Sequence, residues 1–154
     1  MIQIRQFEWR DYDAVVAVWA AAGRDVVPRA ELEAKLTRDP ELFLVAETHA
    51  GVAETHAGVA ETHAGVAETH AGVAAVVMGT FDGRRGWILR LAVHPAHRRQ
   101  GLATRLVDEL EKRFGLLGCP RVNLLVLPDN TAGLRFWQTL GYLPQPDVLC
   151  TKPM

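Results

Sequence analysis

The 154-residue sequence predicts an α+β fold, an α/β sandwich-like domain in which a mostly antiparallel mixed sheet is flanked by helices. Three observations carry this. Segments of two-residue alternation and segments of helical periodicity succeed one another in the order β-α-α-β-β-β-α-β-α-β. Consecutive strands in the first half are joined by short Gly-bearing turns, which make antiparallel hairpins. Between the fourth and fifth strands lies a long amphipathic helix, the connection that a parallel crossover requires.

Each element has its own signal. "IQIRQF" alternates apolar and polar residues and is the first strand. "WRDYDAVVAVWAAAG" is the first helix: Asp11 is its expected N-cap, Val15, Val16, Val18 and Trp19 are its apolar stripe, and Gly23 closes it. Pro28 starts a second helix, "PRAELEAKLTRD", with Leu32 and Leu36 on one face. "ELFLVA" and "VAAVVMG" are the second and third strands, and "FDGRRG" turns into the fourth, "WILRLAV", which His94 and Pro95 end. Residues 101–115 form the third helix, with Leu102, Leu106, Leu110 and Phe114 aligned. "RVNLLVL" reads as a buried fifth strand, "PDN" as a turn capping the last helix "TAGLRFWQTLG", and "YLPQPDVLCTKPM" as a terminal strand.

The length suits one domain, residues 1–154. With 49% hydrophobic and 23% charged residues and a net charge of −1, nothing global points to nucleic acid or a membrane as partner. No apolar run approaches the ~20 residues of a membrane span. Charges appear too early in "MIQIRQFEWRD" for a secretory leader. Cys119 and Cys150 lack metal or redox spacing, no metal site is expected, and the cytoplasm is the default compartment.

Four copies of Val-Ala-Glu-Thr-His-Ala-Gly run without substitution over residues 45–72, inserted in the hairpin between the second and third strands. Removing three copies, 21 of the 154 residues, leaves 133 and the text "ELFLVAETHAGVAAVVMGTFDG", a well-formed hairpin. Each copy carries one Glu and no Lys or Arg, so the net charge of −1 would become +2. The odd period would turn His and Val to opposite faces of a strand in successive copies. A helix would keep His49, His56, His63 and His70 nearly aligned, drifting ~20° per heptad, yet the Gly of each copy opposes it by ~1 kcal/mol. The expectation is an elongated surface hairpin or a loose loop, with helix the lesser outcome. A four-histidine ladder could bind metal. Copy-number expansion without function is the plainer reading.

The chemistry-bearing stretch is "RRQGLATRL", residues 98–106. The first turn of a helix presents unpaired N–H groups and partial positive charge. Gly101 permits close approach to the backbone, Ala103 keeps the next contact small, and Arg98 and Arg99 add charge suited to phosphate oxygens. The assembly is an anion cradle able to take two successive phosphates. A solvated basic turn is the plain alternative.

"LAVHPAHRRQGLATRLVDELEKR", followed by an apolar strand and "LPDNTAGLRFWQTLGY", resembles the GNAT superfamily of acyl-CoA N-acyltransferases. Its [Gln/Arg]-x-x-Gly-x-[Gly/Ala] signature is matched by Arg98, Gly101 and Ala103, and its later Asn-headed helix ending in Gly-[Phe/Tyr] by residues 130–142. The resemblance implies a GNAT fold and an acetyl-CoA-dependent N-acetyltransferase of the EC 2.3.1 class. Such an enzyme moves an acetyl group to a primary amine of a small molecule or peptide by direct attack in a ternary complex. The backbone of Leu91, Ala92 and Val93 would pair with the pantetheine arm. The N–H groups of Arg99, Gln100, Gly101, Leu102, Ala103 and Thr104, beside Arg98, would hold the pyrophosphate. Asn130 would bond the pantetheine or the cofactor's amide region, and the fourth and fifth strands would splay into a cleft. Phe136 and Trp137 would wall the cofactor or serve only helix–sheet packing.

The Val93 N–H is the implied donor to the thioester carbonyl, while the acid and base stay unassigned. Trp137 stands where many members place an acidic Tyr, and an indole N–H is no practical proton source. Leu125 stands where some members that acetylate protein N-termini carry a Glu. Tyr142 could supply the acid or simply fill the aromatic slot after Gly141. His94 and His97 read as turn residues rather than bases. Glu31, Glu33 and Asp39 are candidates to line the acceptor side. Two other classes remain: an acyl-CoA-binding module with little catalysis, and a scaffold associating through the repeat hairpin. Monomer and homodimer are both open.

Overall fold

The structure, a computed structural model, describes residues 1–49 and 72–154. It divides into two compact units, Met1–Leu124 and Leu125–Met154. The repeat's interior, residues 50–71, lies outside the described residues, and with it the expectations for its conformation and its histidine ladder.

The first unit is built on a five-stranded sheet in sequential order, β1 (Ile2–Gln6), β2 (Phe43–Thr48), β3 (Val73–Phe81), β4 (Gly86–Val93) and β5 (Val122–Asn123). The first four are antiparallel neighbours, and β4 and β5 are parallel, as a helical crossover demands. Three helices belong to this unit: α1 (Tyr12–Ala21), α2 (Arg29–Leu36) and α3 (Leu102–Leu116). One apolar cluster joins Val15, Val18 and Trp19 of α1 and Leu32 of α2 to Phe43, Val45, Val76, Met78 and Ala92 of the sheet. Strand alternation turns Gly79 to the opposite face, where an added Cβ would lie 2.8 Å from Phe114 and 3.0 Å from Leu110 of α3. The helices therefore cover both faces, and the missing side chain at Gly79 is what lets α3 seat so closely.

The hairpin that carries the repeat is closed in the expected place. Glu47 pairs with Val73, and the Thr48 N–H donates to the Gly72 carbonyl at 2.7 Å.

Three expectations need correction. Asp11 stands at the N-cap position of α1 but makes no capping bond; its carboxylate instead takes Arg5 and the Glu8 N–H. The fifth strand shrinks from "RVNLLVL" to Val122–Asn123, and residues 142–154 form no strand at all. Pro144, Pro146 and Pro153 remove backbone donors from the terminal segment, which disfavours a strand there. β5 ends where its pairing with β4 ends, after Trp87–Asn123.

The second unit holds α4 (Thr131–Thr139), preceded by a turn at residues 128–129.

Candidate active site

β4 is the spine of the site. Its pairing with β5 stops after Gly86–Val122 and Trp87–Asn123, whereas its pairing with β3 runs on to Ala75–Val93. From Ile88 to Val93 one edge of β4 has no strand beside it among the described residues. An edge of free N–H and C=O groups can pair with an extended amide-bearing chain. Leu91, Ala92 and Val93 lie on this stretch.

The strand is also interrupted. Met78 opposes Leu89 and Val76 opposes Ala92, so Arg90 and Leu91 together face Val77. This is a β-bulge, and its first residue, Arg90, takes a left-handed φ of 57°. The bulge reverses the side-chain parity of the strand. Ile88 follows Gly79 toward α3, while Ala92 follows Val76 toward α1, although four residues of plain alternation would put both on one face.

Beyond Val93 the chain turns sharply toward α3. The His94 N–H donates to the Ala74 carbonyl at 2.8 Å, and His94 Nδ1 accepts the Ala96 N–H at 3.1 Å, capping the 3-10 turn Pro95–His97. The His97 ring lies 6.0 Å away from that of His94. Arg98 is extended, and Arg99 and Gly101 are both left-handed, with φ of 62° and 72°. Two left-handed residues so close together gather backbone N–H groups on one side, a concavity suited to anions. An added Cβ at Gly101 would meet nothing within 4 Å, so the mouth of α3 stands open. No side chain caps it and no acidic residue sits in its first turn. Arg98, Arg99 and Gln100 are exposed, Ala103 and Thr104 half-buried. Leu102, 2% exposed, anchors the turn in the core with Leu106 and Leu110. The turn is thus anchored in the core while Gly101 stands open, and uncapped N–H groups at a helix start suit an anion.

The second unit carries the remaining expected residues. Asn130 Oδ1 accepts the Gly133 N–H at 2.9 Å and so caps α4. Trp137 is buried, with the Phe136 ring 5.0 Å and the Tyr142 ring 5.3 Å from its own, both edge-on. The Tyr142 N–H donates to the Trp137 carbonyl at 3.0 Å.

The acidic candidates for the acceptor side do not gather there. Asp39 is buried and accepts from Thr80 Oγ1 at 2.8 Å and the Phe81 N–H at 3.2 Å. Thr80 pairs with Trp87, at the other end of β4 from Val93, about 20 Å along the strand. Asp39 therefore pins the sheet to the end of α2. Glu33 pairs with Arg29 at 3.3 Å, and Glu31 is exposed. Among the described residues no cluster of His, Cys, Asp or Glu could hold a metal ion, and no helix is long and apolar enough to cross a membrane.

Sequence reasoning missed Arg90. The available signal was a charged residue inside an apolar strand, at the parity shared by Ile88 and Ala92.

Comparison with known proteins gives the family and supports the fold. The profile of the "Acetyltransferase (GNAT) family" matches residues 2–142. An acetyltransferase of Yersinia pestis (strain Pestoides F) is 32% identical over 156 residues, covering 98% of this chain and 94% of its own. The fold is similar to that of AAC(6')-Iy in complex with the bisubstrate analogue CoA-S-monomethyl-acetylneamine, with TM-score 0.70 and 13% identity, over 100% of this chain and 99% of that one. It is also similar to the NatC complex bound to Gag peptide and CoA, with TM-score 0.67 and 17% identity, over 90% and 82% of the two chains.

Proposed function

Since the chain belongs to the GNAT acetyltransferase family, we propose that it transfers an acetyl group from acetyl-CoA to a primary amine of a small molecule or peptide, by direct attack in a ternary complex. The observation that carries this reading is the open, acid-free mouth of α3 at Gly101, set just beyond a β4 edge that lacks a strand neighbour. The N–H groups from Arg99 to Thr104 bind the pyrophosphate, with Arg98 and Arg99 adding charge. Leu91, Ala92 and Val93 pair with the pantetheine arm, and the family resemblance assigns Asn130, Phe136 and Trp137 to the cofactor as well. Two fold neighbours, one with the bisubstrate analogue CoA-S-monomethyl-acetylneamine and one with Gag peptide and CoA, support both acceptor classes.

The chemistry asks little of the protein. A neutral amine attacks the thioester carbonyl, the C–N bond forms, the C–S bond breaks, and the amine proton leaves as the thiolate gains one. The Val93 N–H donates to the carbonyl oxygen as charge develops on it. Holding amine and thioester together supplies much of the rate. Tyr142 is a candidate for protonating the thiolate, and the base stays unassigned. We place the enzyme in the cytoplasm as one domain with the repeat inserted.

Trp137 at the usual Tyr position favours a second reading, an acyl-CoA-binding module with little turnover. Thiol release from acetyl-CoA in the presence of polyamine, aminoglycoside and peptide amines decides between the two. Amine-dependent release supports the transferase; saturable CoA binding without release on every amine overturns it.

A further inference from the structure

We infer that Arg90 is a positioning residue for the acceptor amine, because its bulged, left-handed backbone aims its guanidinium to tie the α1–α2 loop to the strand that holds the thioester. The inference rests on the transferase reading above. Arg90 Nη1 donates to the Asp25 carbonyl at 2.9 Å, across 65 residues of sequence. Asp25 lies in the connection between Ala21 and Arg29, which has no regular structure to order it. At the start of that loop the Arg24 N–H donates to the Trp19 carbonyl at 2.8 Å, and on its far side the Tyr12 hydroxyl donates to the Val27 carbonyl at 3.2 Å, so Arg90 holds the stretch between two other anchored points.

The position of the tether gives it meaning. Arg90 precedes Val93 by three residues, about 10 Å along a strand. The loop is therefore fastened beside the stretch where the carbonyl must lie, and an amine approaching that carbonyl passes it. The backbone pays for this arrangement. A left-handed Arg is strained, and a strain of this kind persists only where surrounding contacts determine it. A plain strand at this point would leave the side chain in the parity of Ile88 or Ala92, both buried, where a guanidinium has no water. The bulge frees it to reach Asp25.

Backbone strain and tether can be separated by substitution. Arg90→Gly and Arg90→Asn both accept a left-handed φ and lose the tether. Arg90→Lys keeps a donor on a long stem. We expect the Gly and Asn variants to melt within a few degrees of the parent and to bind acetyl-CoA unchanged. Their KM for the best amine of the panel should rise about 10-fold with kcat held within about 2-fold, the pattern of lost acceptor binding. Amide exchange across residues 22–28 should quicken about 10-fold. Arg90→Lys should recover most of both. Unchanged exchange in the Gly and Asn variants overturns the tether, and faster exchange with unchanged acceptor KM overturns its role in acceptor positioning. If the parent acetylates no amine, the transferase reading fails and the acceptor role falls with it, while the exchange data still report whether Arg90 orders the loop.

Discussion

Arg5 grips Asp11 with two parallel hydrogen bonds, Nη1 to Oδ2 at 2.7 Å and Nη2 to Oδ1 at 2.8 Å, and turns its Nε to Glu47 at 2.8 Å. The pair is largely withdrawn from water, with side-chain exposures of 14% and 7%. Burial alone would push the Asp11 carboxyl up, but the Arg5 hydrogen bonds and the Glu8 N–H outweigh it and hold it below its ordinary value. The Arg5 hydrogen bond lowers Glu47 as well. Both carboxylates thus stay charged in the folded chain at pH values where the unfolded chain takes up protons. Their contribution is complete above the unfolded pKa values, about 4, and is lost as pH falls through the folded ones. Asp11→Asn should cost about 2 kcal/mol at neutral pH, since it leaves a part-buried guanidinium with Glu47 as its remaining carboxylate partner. It should also flatten the decline of stability below about pH 4. Urea unfolding of both proteins across that range measures it, and parallel acid limbs would refute the assignment.

The two glycines beneath α3 lead to a packing prediction. At Gly86 an added Cβ would stand 2.8 Å from Cys119 Sγ and 2.8 Å from Phe114, and at Gly79 it would meet Phe114, Leu110 and Leu42. Either Gly→Ala change forces the Phe114 ring, 1% exposed, to move within a filled core. Overpacking of this kind costs about 1–3 kcal/mol. Gly79→Ala should therefore lower the melting temperature despite the better strand propensity of Ala, and Phe114→Leu in the same chain should restore part of the loss. A melting temperature that rises in the single variant contradicts the close seating of α3.

Much of this fold was legible because each signal was periodic and local. The Leu102–Phe114 stripe marks a helix to within one residue at each end, and the two hairpins are announced by their turns. The start of α3 at Gly101 was legible too, since a glycine among polar residues ahead of an apolar stripe marks a helix boundary. Three things were not. The bulge at Arg90 depends on a non-local tether to Asp25, and Arg carries no left-handed preference. Asp11 has the residue type of a cap, and only the folded sheet brings Arg5 and Glu47 to it. The apolar run "NLLVL" says nothing of its length as a strand, which is set by how far β4 stays beside it.

The heptad array should be removable. In a chain lacking residues 52–72, Gly51 precedes Val73 and takes the place of Gly72, whose carbonyl closes the hairpin onto the Thr48 N–H. Every residue of β2 and β3 keeps its partner. Shortening a connection by this much saves loop-closure entropy of about 1–2 kcal/mol. The one-copy protein should melt no lower than the four-copy protein, bind acetyl-CoA equally and have the same mass in solution. Lower stability would show that the added copies pack; a changed oligomeric state would revive the scaffold reading.

Gly101 offers the sharpest test of the phosphate site, because strain and charge can be divided there. Its φ of 72° makes any side chain costly, while the space around it is empty. Gly101→Ala should thus lose about 1 kcal/mol and Gly101→Glu somewhat less, because a carboxylate at the positive end of α3 is favourable in the free protein, with no core penalty in either. Their acetyl-CoA affinities should part. Alanine adds one methyl at the rim and should weaken binding only modestly. Glutamate sets a negative charge at the positive end of α3, among the N–H groups proposed for the pyrophosphate, and should weaken it at least about 10-fold more. Raising the salt concentration should narrow that gap, since the added term is Coulombic and exposed. Calorimetric titration of both variants at two ionic strengths reads the difference, and equal affinities would move the diphosphate away from this helix.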